Sequence, residues 1–317
     1  FSAARYDDPA TRGMDEKGWQ SADLVFDLDA DHLPSIDPER TSYEEMLRAC
    51  KGALLNLVNI LHRDFDFETQ VVFSGSRGYH VHVRDPSVRD IDAAARREVV
   101  DYVRGADLDT EGLVTTTVDH GTTRRVLRTD GGWGRRVHER LIALAADLRE
   151  MEEKAALARL REYDRIGTGR AETLLTAFRE TPEAVERGNL EAGGPGVRIL
   201  VEQLAERVVA ENGSAVDEPV TTDVNRLIRL PGSLHGGTGL AVRRLDSEDV
   251  AAFDPLIDAV PERFTGQQVR IEVTEPSEAP VSFNGGSFRP TDGEHVVPEP
   301  VGVFLMARER ARKVRET

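Results

Sequence analysis

Three short stretches of this 317-residue chain hold residue types that together could perform phosphoryl transfer. The first is LVFDLDAD at residues 24–31, where Asp27 and Asp29 stand two apart in an apolar run. Side chains at i and i+2 of a strand share a face. The two acids therefore project together, while Leu24, Phe26 and Leu28 point into a core. Paired carboxylates repel unless a cation lies between them. Mg²⁺ favours one or two carboxylates completed by substrate phosphate oxygens. The pair thus fits a two-metal site. Asp31 and His32 follow as loop residues.

The second stretch is FSGSRGYHVHV at residues 73–83. Gly75 and Gly78 permit positive φ and close backbone approach. Successive N–H groups in such a turn make an anion-binding concavity. Arg77 offers a planar fork suited to phosphate. His80, nearest the turn, joins Arg77 on a triphosphate, and Ser74 donates a hydroxyl. His82 reads as structural.

The third stretch is DEPVTTDVNRLIRLPGSLHGGTGL, residues 217–240. It reads as a strand carrying polar groups, broken by the Pro231-Gly232 turn. Arg229 and His235 make a second phosphate clamp. Asp217 and Asp223 both qualify as a third metal ligand. Together the three stretches supply metal ligands and a triphosphate clamp, the parts of a polymerase-type nucleotidyltransferase.

The elements that must position these residues follow from periodicity and turn chemistry. Residues 1–20 are polar and extended. Ala22–Leu28 reads as a strand, and residues 42–62 as a helix with Ser42 as N-cap and Glu45 three residues on. Gln70–Phe73 and Tyr79–Arg84 form a hairpin around SGSRG. Asp90–Arg104 is helical. Residues 219–230 alternate as a strand, Leu240–Leu245 and Gln268–Thr274 read as strands, and Val301–Val314 as a closing helix. From about residue 136 to 211 the chain is rich in Leu, Ala, Glu and Arg with helical periodicity. These readings divide the chain into a first core segment (1–135), a helical subdomain or insertion (136–212) and a second core segment (213–317). A further basic set, Arg124, Arg125, Arg128, Arg135 and Arg136 beside Trp133, has the composition of a single-strand track or of a solvated loop.

Composition narrows the class. No apolar run approaches the roughly 20 residues of a membrane span, and no signal peptide opens the chain. A cytoplasmic protein is expected, with no membrane partner. The single cysteine, Cys50, excludes a disulfide framework and a cysteine-based zinc site. It lies in an amphipathic helix and reads as a buried structural thiol. The net charge is −16, unlike the basic face expected of a nucleic-acid enzyme. Only four of the 41 basic residues are lysine. An acidic, arginine-retaining surface suits a halophilic cytoplasm, where screening is complete within roughly 3 Å at 1 M salt.

The motifs LVFDLD, SGSRGYH and RLIRLPGSLHGGTGL, in this order, resemble the small catalytic subunit of archaeal and eukaryotic-type DNA primases. The resemblance runs from about residue 22 to 245. It implies an α/β (α+β) fold, a mixed-sheet primase catalytic core with a helical subdomain. Carried over residue by residue, Asp27, Asp29 and Asp217 would be catalytic and hold two Mg²⁺ or Mn²⁺ ions. The family spacing selects Asp217 over Asp223. Ser74, Arg77, His80, Arg229 and His235 would bind the incoming nucleoside triphosphate. The implied activity is primer synthesis on a single-stranded DNA template for replication, with a primase large subunit, bearing an iron–sulfur domain, as partner.

Three departures stand out. The family's small zinc knob lacks its cysteines here, Ser76 stands where some relatives carry a second basic residue, and Phe1 lies close to the D-x-D strand, as in an N-terminally incomplete chain. The competing readings are a repair primase-polymerase, a metal-dependent phosphohydrolase or nuclease, and a non-catalytic replication scaffold.

Overall fold

The computed structural model describes residues 1–38, 40–119, 122–278 and 280–314. The chain forms two compact units, one of Phe1–His62, Phe67–Val100 and Ser214–Thr317, the other of Arg63–Asp66 and Asp101–Gly213. The second unit takes in more of the chain before residue 136 than the sequence division does. Every strand pairing among the described residues is antiparallel, so the α+β class holds without a parallel pair in its sheets.

The first unit opens with strands β1 (Ala4–Tyr6) and β2 (Trp19–Ala22), which pair with each other. Residues 1–20 are therefore not simply extended. Strand β3 (Leu24–Asp29) follows, then helix α1 (Tyr43–Phe65), strands β4 (Thr69–Phe73) and β5 (Gly78–Val83), and helices α2 (Pro86–Arg89) and α3 (Ala93–Arg104), the last residues of α1 from Arg63 and of α3 from Asp101 belonging to the second unit. After the second unit come α9 (Glu218–Thr222) and β8 (Arg243–Leu245). The central sheet has the order β3-β5-β4-β8.

Hydrophobicity explains the placing of β3. Leu24, Phe26 and Leu28 are fully buried. The other face carries Val25, Asp27 and Asp29, with Val25 in a small apolar cluster with Ala3, Val220 and Ile228. Helix α1 begins in the capping box read from the sequence. The Ser42 and Glu45 backbone N–H groups donate to each other's side chains, at 3.0 and 3.3 Å.

The chain closes with α10 (Pro255–Asp258), β9 (Gln268–Val273), β10 (Val281–Phe283), β11 (Gly286–Phe288), β12 (Gly293–Pro298), α11 (Glu299–Ala307) and β13 (Ala311–Lys313). Strands β12, β9 and β13 form a three-stranded sheet, and β10 pairs with β11.

Two local expectations need correction. Residues 219–230 do not form a strand. Pro219 occupies the first turn of α9, where its missing N–H costs nothing, and the segment then runs through turns to one isolated bridge, Ser2 with Leu227. The helix expected over Val301–Val314 stops at Ala307, because the chain turns at Glu309 (φ 60°) and returns as β13 beside β9.

The second unit comprises the hairpin β6 (Val114–Asp119) and β7 (Thr122–Leu127), followed by helices α4 (Gly132–Glu150), α5 (Glu153–Leu160), α6 (Thr168–Glu180), α7 (Pro182–Glu186) and α8 (Pro195–Asn212). Leu141, Leu148, Leu174, Phe178, Leu200 and Leu204 fill its core. Two of the arginines considered for a strand-binding track are spent internally. Arg136 lies 2.6 Å and Arg135 3.3 Å from the buried Asp64 carboxylate. Trp133 is buried, with its indole N–H on the Tyr102 carbonyl.

Gly78 is the tightest point of the central sheet. A Cβ there would lie 2.2 Å from the Leu28 carbonyl oxygen. That oxygen is backbone and has no room to yield. Gly78→Ala is expected to destabilise the fold by more than about 3 kcal/mol, as for severe overpacking. Chemical denaturation of the variant checks this, and wild-type stability would refute it.

Candidate active site

The catalytic candidates gather where β3, the β4–β5 turn, α9 and the loop before β8 meet. Register places Asp27 directly opposite His80 and Asp29 opposite Gly78. His80 Nε2 lies 3.5 Å from Asp27 Oδ1. The Asp217 backbone N–H donates to the Asp27 carbonyl at 2.9 Å, which seats the start of α9 on the acidic face of β3.

Electrostatics identifies the three acids as one group. Burial first, then the charges of Asp29 and Asp217, push the Asp27 carboxyl up to about 6, against the pull of Arg229 and Arg226. This is the signature of like charges crowded into a dry site. Asp223, the other candidate, is exposed and caps its own turn by accepting from the Asn225 N–H.

The basic side is assembled by the two glycine-rich stretches clasping each other. The SGSRG turn closes through the Ser74 N–H on the Gly78 carbonyl at 3.0 Å. Gly75 has φ +80°, and a Cβ there would meet His235 Cβ at 2.8 Å. Arg229 Nη1 donates to the Ser74 carbonyl at 3.3 Å, and the Thr238 hydroxyl to the Gly75 carbonyl at 2.5 Å. Tyr43 on α1 holds the turn from the other side, its hydroxyl on the Ser76 carbonyl at 2.9 Å.

Each histidine has a definite state. Burial, followed by the fields of His82 and of Arg229 and Arg226, pushes His80 down to about 3. It is a neutral imidazole beside a carboxylate, so any contact to phosphate is made without a positive charge. His235 is also lowered, by burial and then by Arg229 and Arg77. Its Nδ1 accepts from the Gly237 N–H at 3.2 Å. The proton of the neutral ring therefore sits on Nε2, free to donate to a phosphate oxygen. His82 is fully buried and stacks on Phe1 with centroids 6.2 Å apart, in keeping with a structural role.

Several members of the site escaped the sequence reading. Arg226 acts on both Asp27 and His80 and lies one short turn before Arg229. Asp31 forms an ion pair with Arg77, and its spacing as the third acid of D-x-D-x-D was the only clue. The partnered Arg77 is held ready at the rim rather than free in solvent. Arg308, past the end of α11, stands over the Tyr43 ring at 5.3 Å and interacts with Arg77 and Asp31. No local pattern could have placed it there. Cys50 is buried behind β3, its thiol pushed well up by burial.

The donor set suits hard divalent cations. Among the described residues no group of three or more His, Cys, Asp and Glu side chains closes into a ready metal cage. Mg²⁺ does not require one, since it takes one or two carboxylates and keeps water and phosphate as its other ligands. The raised Asp27 carboxyl is the observation that fits a cation, which would relieve the repulsion among Asp27, Asp29 and Asp217.

The model of the DNA primase small subunit family matches residues 26–247. The chain belongs to the DNA primase small subunit family. It is 62% identical over 317 residues to the DNA primase small subunit PriS of Halorubrum lacusprofundi, covering all of this chain and 81% of that protein. Identity is 53% to the PriS protein of Natronomonas pharaonis and 51% to that of Haloarcula marismortui, again over all of this chain and 81% and 82% of those proteins. These relatives come from halophilic archaea, as the lysine-poor acidic composition led one to expect. The matched span holds all eight residues proposed from sequence for the site.

Proposed function

We propose that this chain is the catalytic subunit of a DNA primase, a polymerase-type nucleotidyltransferase that starts short primers on single-stranded DNA for replication. The observation that carries the reading is the meeting of Asp27, Asp29 and Asp217 with Arg77, Arg229 and His235 at one end of the central sheet. Family membership supports it.

In the reaction a primer or initiating-nucleotide 3′-hydroxyl oxygen attacks the α-phosphorus of the incoming nucleotide. A new P–O bond forms, the bond to the β-phosphate bridging oxygen breaks, pyrophosphate leaves and the hydroxyl proton passes to solvent. Two bound Mg²⁺ or Mn²⁺ ions would supply Lewis-acid activation of the hydroxyl and neutralisation of the triphosphate. Asp27, Asp29 and Asp217 would hold them. Arg77 and Arg229 take the outer phosphates and offset charge developing on pyrophosphate. His235 Nε2 donates to the same group. Neutral His80 packs against Asp27 and fixes its carboxylate. Ser74, buried in the turn, anchors it through its backbone N–H and carbonyl, and its hydroxyl is assigned to the nucleotide by the family resemblance alone. Arg226 tempers the acid cluster.

The reading extends to a primase large subunit as partner and to nucleoside triphosphates and a DNA template as substrates, in the cytoplasm. Among the described residues no helix is long and apolar enough to cross a membrane. Within the nucleotidyltransferases the reading assigns the enzyme to the DNA-directed RNA polymerase type. The three-part division at 135/136 and 212/213 is retained as a proposal for the folding domains, which limited proteolysis would map.

One experiment separates this from hydrolysis by the same acids. A primed template is incubated with α-labelled nucleoside triphosphate, Mn²⁺ and the complex in molar KCl. Strand extension with stoichiometric pyrophosphate is expected. Shortening of the strand, or release of nucleoside monophosphate without extension, would instead establish a nuclease or phosphohydrolase.

A further inference from the structure

Helix α9, which begins next to Asp217, is only five residues long. So short a helix has little stability of its own, and the position of Asp217 must come from what grips it. Val220 supplies an apolar contact with Val25 and Ile228, but such contacts are non-directional. Beyond the Asp217 N–H on the Asp27 carbonyl, the directional grips come from two adjacent arginines of α3.

Arg96 is almost completely buried, at 1% exposure. Among the described residues no carboxylate is hydrogen-bonded to it. Its guanidinium is satisfied by backbone carbonyls instead. Nη2 donates to Ala22 at 2.8 Å, Nη1 to Asp23 at 3.0 Å and to Thr221 at 3.5 Å, and Nε to Ile91 at 3.1 Å. Ala22 and Asp23 lead directly into β3, and Thr221 lies within α9. One rigid, planar group thus bridges the residues that lead into the strand carrying Asp27 and Asp29 and the helix that follows Asp217. Arg97, the next residue, donates from Nε to the Glu218 carboxylate at 2.7 Å. Glu218 directly follows Asp217. A buried cation is costly, and an apolar side chain of equal volume would fill the space more cheaply. What an apolar chain would not supply is a second directional tie, from the far side, between the two acid-bearing segments.

We infer that Arg96 and Arg97 are positioning residues that set Asp217 against Asp27 and Asp29 and so tune the cation site. The inference rests on the proposed metal role of Asp217.

The test uses the full chain with its copurified partner in molar KCl. Mn²⁺ binding is read from the electron paramagnetic resonance of free Mn²⁺, without nucleotide, alongside kcat and nucleotide KM. Loss of a group that orients metal ligands costs about 10–100-fold in metal affinity or activity. Arg96→Lys and Arg97→Ala are therefore expected to weaken Mn²⁺ binding and kcat about tenfold, with nucleotide KM unchanged. Arg96→Met is expected to do more. Should it fail to fold, the two milder variants carry the test, because Arg97 is more than half exposed. Arg136→Met, which breaks a buried arginine contact to Asp64, controls for general destabilisation and is expected to bind Mn²⁺ as the wild type does. Wild-type Mn²⁺ affinity and kcat in Arg96→Lys and Arg97→Ala, with weakened binding in Asp217→Asn, would overturn the positioning role alone. So would equal losses in Arg136→Met. Unchanged Mn²⁺ binding in Asp217→Asn would overturn the metal role of Asp217, and this inference with it.

Discussion

Asp27→Asn is expected to abolish primer synthesis while making the metal-free protein more stable at neutral pH. The two effects share one cause. Asp27 is held up to about 6 by burial and by its acidic neighbours. The folded chain therefore binds the proton at Asp27 more tightly than the unfolded chain does. For such a group stability is highest below pH 4, is lost as pH rises from about 4 to 6, and stays lost above. A shift of about two units corresponds to roughly 2–3 kcal/mol at neutral pH, an upper figure given the partial exposure of the side chain. Asn removes that cost. The gain should vanish as pH falls toward 4, where wild-type Asp27 is itself protonated. His80 and His82 work in the opposite direction. Kept neutral down to about 3 and 4, they remove stability as pH falls below about 6.5. The comparison must therefore be wild type against variant at each pH. Activity should fall on the order of a thousandfold, since the metal's contribution to the transition state is several kcal/mol. Denaturant unfolding from pH 4 to 8, paired with primer assays, checks both halves. Lower stability at pH 7, or retained synthesis, would contradict the site.

Arg77→Ala is expected to raise the nucleotide KM about 10–100-fold with a smaller change in kcat. Hydrogen bonds to charged groups are worth roughly 1.5–3 kcal/mol, and each 1.4 kcal/mol is about tenfold. Arg77→Lys should recover little, because a point charge does not reproduce the planar fork that Asp31 now holds in place. Steady-state kinetics with varied nucleotide at fixed template checks this. An unchanged KM in Arg77→Ala would remove Arg77 from the clamp.

The parts of the site legible in the sequence were those written in local chemistry. The D-x-D run had to be a strand with its acids on one face, and β3 is that strand. SGSRG between two β-rich runs had to be a tight hairpin turn. The Ser42–Glu45 capping box marked the start of α1. What was misread depended on partners far away. Val220 looked like one beat of a strand, yet it is buried because α9 lies against Val25, and Pro219 begins a helix there. The apolar run after Val301 ends early because β9 offers β13 a free edge. Arg96 gave no signal as one of many arginines on a polar helix. Its importance appears only when its partners, Ala22, Asp23 and Thr221, are seen at separations of 73 to 125 residues. Arg308 reached the rim of the site in the same way.

Primer synthesis on unprimed single-stranded DNA, in molar KCl with Mg²⁺ or Mn²⁺, tests the central claim most directly. The chain is measured with and without its copurified partner, against an Asp27→Ala/Asp29→Ala control. Metal-dependent synthesis that disappears in the control is the expected result, and its dependence on the partner would show whether this subunit initiates alone. No synthesis by an intact, folded complex that still binds nucleotide would contradict a catalytic role and leave a nucleotide-binding replication scaffold in its place.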